Sequence, residues 1–340
     1  MNYLITGIAG FVGSSLARSI LEKDADARIT GIDNMSFGYR ERLTDISNQI
    51  DFIEGDIVDI NRLLGSRHFD TIVHCAAIAP LPECQRDSFR AISQNVAICG
   101  SIVDYALASG SRDIVFFSSG AIYEGTGEFP TTEETFISTS LVYPTTKHIA
   151  EQYFEAMCRS HDINVTAIRL FNLYGPHQDY FRKQPPLIGY LLSCLIRNEE
   201  AILFSSGEQC RDYIYIDDLL ELVLLSAYKM KERKAGNRFI AVNAGSGTPV
   251  SVNEIICLLE QIAHQSLRIQ RRPASQYWDK YIELFQRPIT IDRGVIEREV
   301  NKHTQASVLR AEQEFGWTTK ISLEAGLTAC LAHASRVITK

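Results

Sequence analysis

Thr6-Gly7-Ile8-Ala9-Gly10-Phe11-Val12-Gly13 sets three glycines at regular spacing between a short apolar run and a helix-like stretch. A chain that leaves a strand and starts a helix within so few residues has few folds open to it. Glycines allow the tight turn, let a pyrophosphate approach the backbone, and let helix and strand pack closely. The first N–H groups of the helix and its positive dipole end then face an anion. The rest of the first half continues in the same rhythm. Residues 2–7, 28–33, 51–56, 71–77 and 113–119 read as short apolar strands, and 164–172 and 239–243 as two more. Residues 11–23, 95–108 and 143–160 carry apolar positions at helical period, with Pro144 tolerable only in a first turn. Strands buried on both faces and separated by helices predict an α/β chain with a Rossmann-type doubly wound parallel sheet. The rhythm loosens after Gly175. Residues 1–175 with about 212–245 are therefore expected to form a dinucleotide-binding domain. Residues from about 176 to 211, with 246–340, are expected to form a smaller α/β substrate-binding lobe.

Asp33 closes the second predicted strand, twenty residues after Gly13. A carboxylate there accepts hydrogen bonds from adenosine ribose hydroxyls and repels a 2′-phosphate, which favours NAD over NADP. Phe11 and Val12 in the glycine turn and Asn34 beside Asp33 join the expected cofactor set. Asp56 and Ile57 follow the third strand, where Asp56 either faces the adenine or closes a strand-end turn. Ala76 and Ala77 offer small side chains where a cofactor backbone passes, or simply pack in the core. Asn95, at the start of a predicted helix, touches the cofactor or caps that helix.

The net charge of −7 argues against nucleic-acid binding and against an anionic membrane surface. No apolar run reads as a membrane span, and the N-terminus enters a strand in place of a signal peptide. The eight cysteines are scattered without C-x-x-C pairs or Cys/His clusters, which predicts reduced thiols, a cytoplasmic protein and no metal.

Tyr143 and Lys147 are one helical turn apart and project from the same face. A cation beside a phenol favours the phenolate, making a proton acceptor for an alcohol about to lose a hydride. Further motifs follow in order: His74-Cys-Ala-Ala77, Ser118-Ser119-Gly-Ala-Ile-Tyr123, Arg169-Leu-Phe-Asn-Leu-Tyr-Gly-Pro176, Arg211-Asp-Tyr-Ile-Tyr-Ile-Asp-Asp218 and Asn243-Ala-Gly-Ser246. This succession resembles the extended short-chain dehydrogenase/reductase family, in its NAD-dependent nucleotide-sugar epimerase/dehydratase branch. The resemblance spans nearly the whole chain and weakens between about 265 and 300.

The resemblance implies that Tyr143 takes a proton from a sugar hydroxyl, that Lys147 holds the nicotinamide ribose, and that Ser119 hydrogen-bonds the reacting hydroxyl. Ser118 is the other candidate for that last role and joins the cofactor set. The resemblance places Asn172 and Arg211 on the diphosphate of the sugar nucleotide, where a guanidinium suits phosphate oxygens. For Arg211 a surface ion pair with Asp212 is the competing reading. Arg298 is aligned, more weakly, as a second phosphate ligand. Phe204 reads as a core residue or a nucleobase contact, and Asp217-Asp218 as a helix N-cap. The family also implies a homodimer through the helices at 95–108 and 143–160.

Family members that dehydrate or decarboxylate carry a glutamate two residues before the position of Tyr123. This chain has Gly120-Ala121 there, which leaves reversible oxidation at C4. The expected activity is UDP-hexose 4-epimerase-like, on a UDP-hexose, uronate or N-acetylhexosamine. The alternatives are a net NAD(P)-dependent reductase or oxidase of a nucleotide keto sugar, and a dinucleotide-sensing protein without catalysis. Three features depart from the pattern. Glu124 replaces the usual glycine and puts a carboxylate near the sugar pocket or in a solvated loop. Ala121 lacks a hydroxyl, and the stretches 180–186 and 277–293 are atypical. Thr304 aligns where a bulkier residue would exclude an N-acetyl group.

Overall fold

The computed structural model describes residues 1–232 and 238–338. In chain order its strands are β1 (Asn2–Thr6), β2 (Arg28–Asp33), β3 (Ile50–Glu54), β4 (Thr71–His74), β5 (Asp113–Ser119) and β6 (Asn164–Leu170). Then follow β7 (Asn172–Tyr174), β8 (Ala201–Leu203), β9 (Cys210–Tyr215), β10 (Phe239–Ala244), β11 (Pro249–Ser251) and β12 (Ile269–Arg271). Seven of them form one sheet in the order β10-β6-β5-β4-β1-β2-β3, with every neighbouring pair parallel. Alternation along β5 shows why both faces are apolar. Val115 and Phe117 enter the core shared with helices Phe11–Lys23 and Ile216–Met230. Ile114 and Phe116 enter the opposite core with Ile98, Ile102, Ala150 and Phe154. The Phe116 and Phe154 rings meet there at 4.9 Å.

The strand order reverses between β1 and β4, so the chain leaves these neighbours in opposite directions. A crevice opens at their carboxyl ends, which is where such sheets bind ligands. Three further strands form a sheet in the order β11-β9-β7, and β12 pairs with β8.

Several boundaries differ from the sequence expectation. The strand expected over 51–56 ends at Glu54, and that expected over 71–77 ends at His74. The apolar run 164–172 is two strands: β6 stops at Leu170, Phe171 N–H donates to the Ala244 carbonyl, and Asn172 opens β7 in the second sheet. Both segments bury apolar side chains, so composition does not mark the crossing. The helix expected at 95–108 begins at Ser88 and contains a π turn over Ser93–Ala97. Asn95 thus lies inside a helix and caps nothing. That helix, Ser88–Ser109, is long and apolar enough to cross a membrane by length and composition, which the reading of apolar runs did not register. Its Ile98, Cys99, Ile102, Val103 and Tyr105 are buried in the core beneath the parallel sheet.

Candidate active site

The glycine turn is required by its own geometry. Gly7 has φ +69°, and a Cβ there would lie 2.8 Å from the Ala76 backbone; a Cβ on Gly13 would lie 2.4 Å from the Gly7 carbonyl oxygen. Gly10 caps helix Phe11–Lys23 without a side chain, which leaves the first-turn amides of Phe11, Val12 and Gly13 no side-chain acceptor. Asp33 is buried at the end of β2. Its carboxylate accepts from Ala9 N–H at 3.0 Å and Met35 N–H at 2.8 Å. Burial raises its proton affinity, and these two amides pull it back. A cleft with about 630 Å³ of open space runs past Gly7, Gly10, Asp33, Asn34, Ile57 and Ala76-Ala77.

Uncapped helix amides beside a buried carboxylate, over a backbone too tight for Cβ atoms, fit a dinucleotide: phosphates at the helix and a ribose at Asp33. Asp56 caps the turn Ile57–Asp59 through Val58 N–H at 3.1 Å and accepts from Asn34 Nδ2 at 3.1 Å, the strand-end role weighed above. The sequence reading missed Gly38, Arg90 and Gln94, which also line this cleft. A Cβ on Gly38 would meet the Asp33 carboxylate at 2.9 Å. A glycine five residues after Asp33 was the available signal; Arg90 had none, since on a helix it reads as surface charge.

Asn95 is buried, and its side chain is taken up within the protein. Its Oδ1 accepts from Ile78 N–H at 2.8 Å, while Nδ2 donates to the Ile78 carbonyl at 3.0 Å and to Thr146 Oγ1 at 3.1 Å. It therefore braces the loop after β4 against the helix that bears Tyr143.

Ser118 and Ser119 end β5 at the sheet's carboxyl edge, and Tyr143 and Lys147 lie on helix Val142–Ser160 beside it. The Ser119 hydroxyl lies near enough to the Tyr143 phenol to favour its ionised form. Lys147 is buried; its ammonium donates to the Phe117 carbonyl at 2.7 Å and stands 6.0 Å from the Tyr143 ring centroid. The expectation of a phenol held down by this cation is corrected. Burial pushes Tyr143 up to about 12, and the interactions that oppose it come from Ser119 and Arg182. Burial likewise pushes Lys147 down to about 8. Ser118 Oγ is buried with no partner among the described residues.

Asn172 and Arg211 come together on the neighbouring strands β7 and β9, with Asn172 Nδ2 donating to the Asp212 carbonyl at 2.9 Å. The ion pair with Asp212 does not form. Asp212 instead accepts from the amides of Ser246, Gly247 and Ala306. Arg211 donates through Nη2 to the Glu299 and Val300 carbonyls, at 2.7 and 3.1 Å. Its Nη1 is buried and unpartnered among the described residues. Burial lowers its proton affinity against the pull of Glu299. A buried guanidinium with a spare donor suits an anion.

Arg298 lies on the helix whose Glu299 and Val300 carbonyls accept from Arg211. It stands exposed on helix Arg293–Asn301, close to Gly294 one turn back. Thr304 Oγ1 accepts from Asp212 N–H at 3.0 Å, so that hydroxyl is engaged. Phe204 packs on Tyr277 at 5.4 Å in a small core built largely from the atypical segment. Asp218 is no N-cap: it accepts from the amides of Lys320 and Ile321. Arg182, Gln184 and Tyr277 went unassigned in the sequence. Burial raises Tyr277, and Gln184, Arg211 and Arg182 lie near enough to oppose that rise. The atypical character of both their segments was the only signal.

The chain is 28% identical over 261 residues to a UDP-glucose 4-epimerase of Mycolicibacterium smegmatis, covering 75% of this chain and 80% of that one. It is 26% identical over 279 residues to a UDP-N-acetyl-alpha-D-glucosaminuronate decarboxylase of Bacillus cytotoxicus, covering 79% and 83%. Among solved structures, the UDP-glucose 4-epimerase of Thermotoga maritima with UDP-glucose superposes at a TM-score of 0.83 and 26% identity, covering 99% of this chain and 100% of that one. The pattern of the NAD-dependent epimerase/dehydratase family matches residues 3–245, and the chain, carrying the glycine turn, Ser119, Tyr143 and Lys147 within that span, belongs to that family.

Proposed function

We propose that this protein epimerises C4 of a UDP-linked hexose, or of its uronate or N-acetyl relatives, with NAD as its cofactor. The observation that carries the reading is the meeting of Ser119 and Tyr143 at the sheet's carboxyl edge, beside a turn, Gly120–Tyr123, that bears no acid. The 4-epimerases among its relatives support it. The similarity to a decarboxylase does not redirect it, because Ala121 stands where a glutamate would be needed.

Bound NAD supplies a reversible hydride store for C4. The protein handles the proton. Tyr143 takes it from the C4 hydroxyl, with Ser119 bridging, and gives it back when that oxygen needs it again. A phenol pushed up to about 12 ionises only when cations act on it. Arg182 and the charge of the oxidised nicotinamide are the cations at hand. The Phe117 carbonyl holds Lys147 in place to meet the nicotinamide ribose. Arg211, with its free Nη1, and Asn172 hold the diphosphate. Residues 1–175 with about 212–245 serve the cofactor, and the remaining lobe the nucleotide sugar.

Two copies are inferred to pair through helices Ser88–Ser109 and Val142–Ser160, which leave Ile92, Leu107 and Ile149 exposed. Eight cysteines outside any disulfide, most of them buried, agree with a cytoplasmic setting. The test is to incubate the purified protein with a panel of UDP-sugars and follow C4 configuration by NMR. A C4 epimer without net nicotinamide reduction is expected. Turnover only on added NAD(P)H would favour the reductase reading and overturn this one. Tyr143→Phe is expected to lower the rate by about 10²–10⁴-fold; unchanged cellular function with that variant would favour the sensor.

A further inference from the structure

Glu124 stands where a glycine is usual, and its half-buried carboxylate is engaged by backbone amides of the protein. Its Oε1 accepts from the Ser140 amide and from the Leu141 amide, the latter at 3.0 Å. These residues lead directly into helix Val142–Ser160, whose N-cap, Leu141, has no side-chain acceptor to offer. The next amide, Val142 N–H, goes to Gln85 Oε1 at 3.2 Å. Three consecutive amides at the start of the helix are thus held by two side chains from two other elements. A carboxylate at this end is also favoured by the helix dipole.

The other end of the clamp is equally placed. Glu124 closes the turn Gly120–Tyr123, and Ser119 caps that turn by accepting from Ala121 N–H at 3.1 Å. One carboxylate therefore ties the turn that starts at Ser119 to the helix that presents Tyr143, two residues beyond Leu141. A glycine at 124 could make no such tie.

We propose that Glu124 is a positioning residue that sets the Ser119–Tyr143 separation for proton transfer. For its activity readout this rests on the proposed C4 epimerisation. A misplacement near 1 Å costs on the order of 10²-fold in rate, so a side chain that touches neither substrate nor cofactor can still govern turnover.

The test compares Glu124→Ala and Glu124→Gln by steady-state kinetics, pH profile and amide hydrogen exchange. Glu124→Ala is expected to lower kcat by roughly 10- to 100-fold with KM within about threefold. It should also speed exchange at the Ser140 and Leu141 amides. Glu124→Gln keeps an acceptor oxygen, so it should recover both exchange protection and kcat to within about threefold. A Glu124→Ala protein with wild-type kcat overturns the proposal, whatever its exchange. So does a Glu124→Gln protein as slow as Glu124→Ala and missing one limb of the pH profile, since Glu124 would then itself move a proton. If the wild-type protein forms no epimer, the proposed function fails. The clamp is then judged by exchange alone, and unchanged protection in Glu124→Ala overturns it.

Discussion

Burial moves the phenol of Tyr143 and the ammonium of Lys147 in opposite directions, to about 12 and about 8. Each shift disfavours the charged form, so the protein alone holds this pair closer to neutral than the turn-apart spacing suggests. Lys147 has a consequence that can be measured. Its folded affinity lies below its ordinary 10.5. At pH below about 8 the folded chain carries a buried cation and bears the full cost. Between about 8 and 10.5 the unfolded chain keeps a proton that the folded one has shed, and the cost fades. Lys147→Met should therefore raise the stability of the cofactor-free protein at pH 7 by about 1–3 kcal/mol, reduced by the lost bond to Phe117. The gap should close as pH rises through that window. Denaturation midpoints against pH check this; a gap independent of pH would contradict it.

The catalytic helix is anchored by more than Glu124 and Gln85. Glu151 lies one turn beyond Lys147 and meets Arg169 of β6 through Nε and Nη2, at 3.0 and 2.7 Å, with both side chains at most 8% exposed. Arg169 also donates through Nη1 to Tyr123 Oη at 2.7 Å and to the Glu133 carbonyl. Burial alone would lower the guanidinium's proton affinity, but Glu151 and Tyr123 together raise it above its ordinary value. Removing one partner strands the other charge in the core. Glu151→Ala should therefore cost about 3–5 kcal/mol in urea denaturation, while a loss below about 1 kcal/mol would mean that water reaches Arg169.

Local sequence made most strands of the large sheet legible, because their apolar runs and intervening helices are short-range signals. The glycine turn, Ser119, Tyr143 and Lys147 were legible for the same reason. What was not legible depends on distant partners. The strand change at Phe171 follows from Ala244, and the π turn at Asn95 from Ile78 and Thr146. Asp218 answers to residues a hundred positions away.

At the scale of the molecule, the sheet's reversal between β1 and β4 brings the glycine turn, Asp33 and the Ala76-Ala77 loop to one crevice. The second sheet adds Asn172 and Arg211 on adjacent strands. Leu107 and Ile149, exposed on two long helices, mark the face proposed for pairing. The double variant Leu107→Glu, Ile149→Glu should halve the mass seen by light scattering while leaving the NAD cleft competent. A wild-type protein already monomeric would exclude that face as a dimer interface. The central claim is that one hydride leaves C4 and returns to it within a single chain. It is tested most directly by turning over a UDP-hexose deuterated at C4 and following the label by NMR. Deuterium retained at C4 in both epimers, with nicotinamide absorbance constant, is the predicted result; label lost from C4, or reduced nicotinamide accumulating with product, would contradict it.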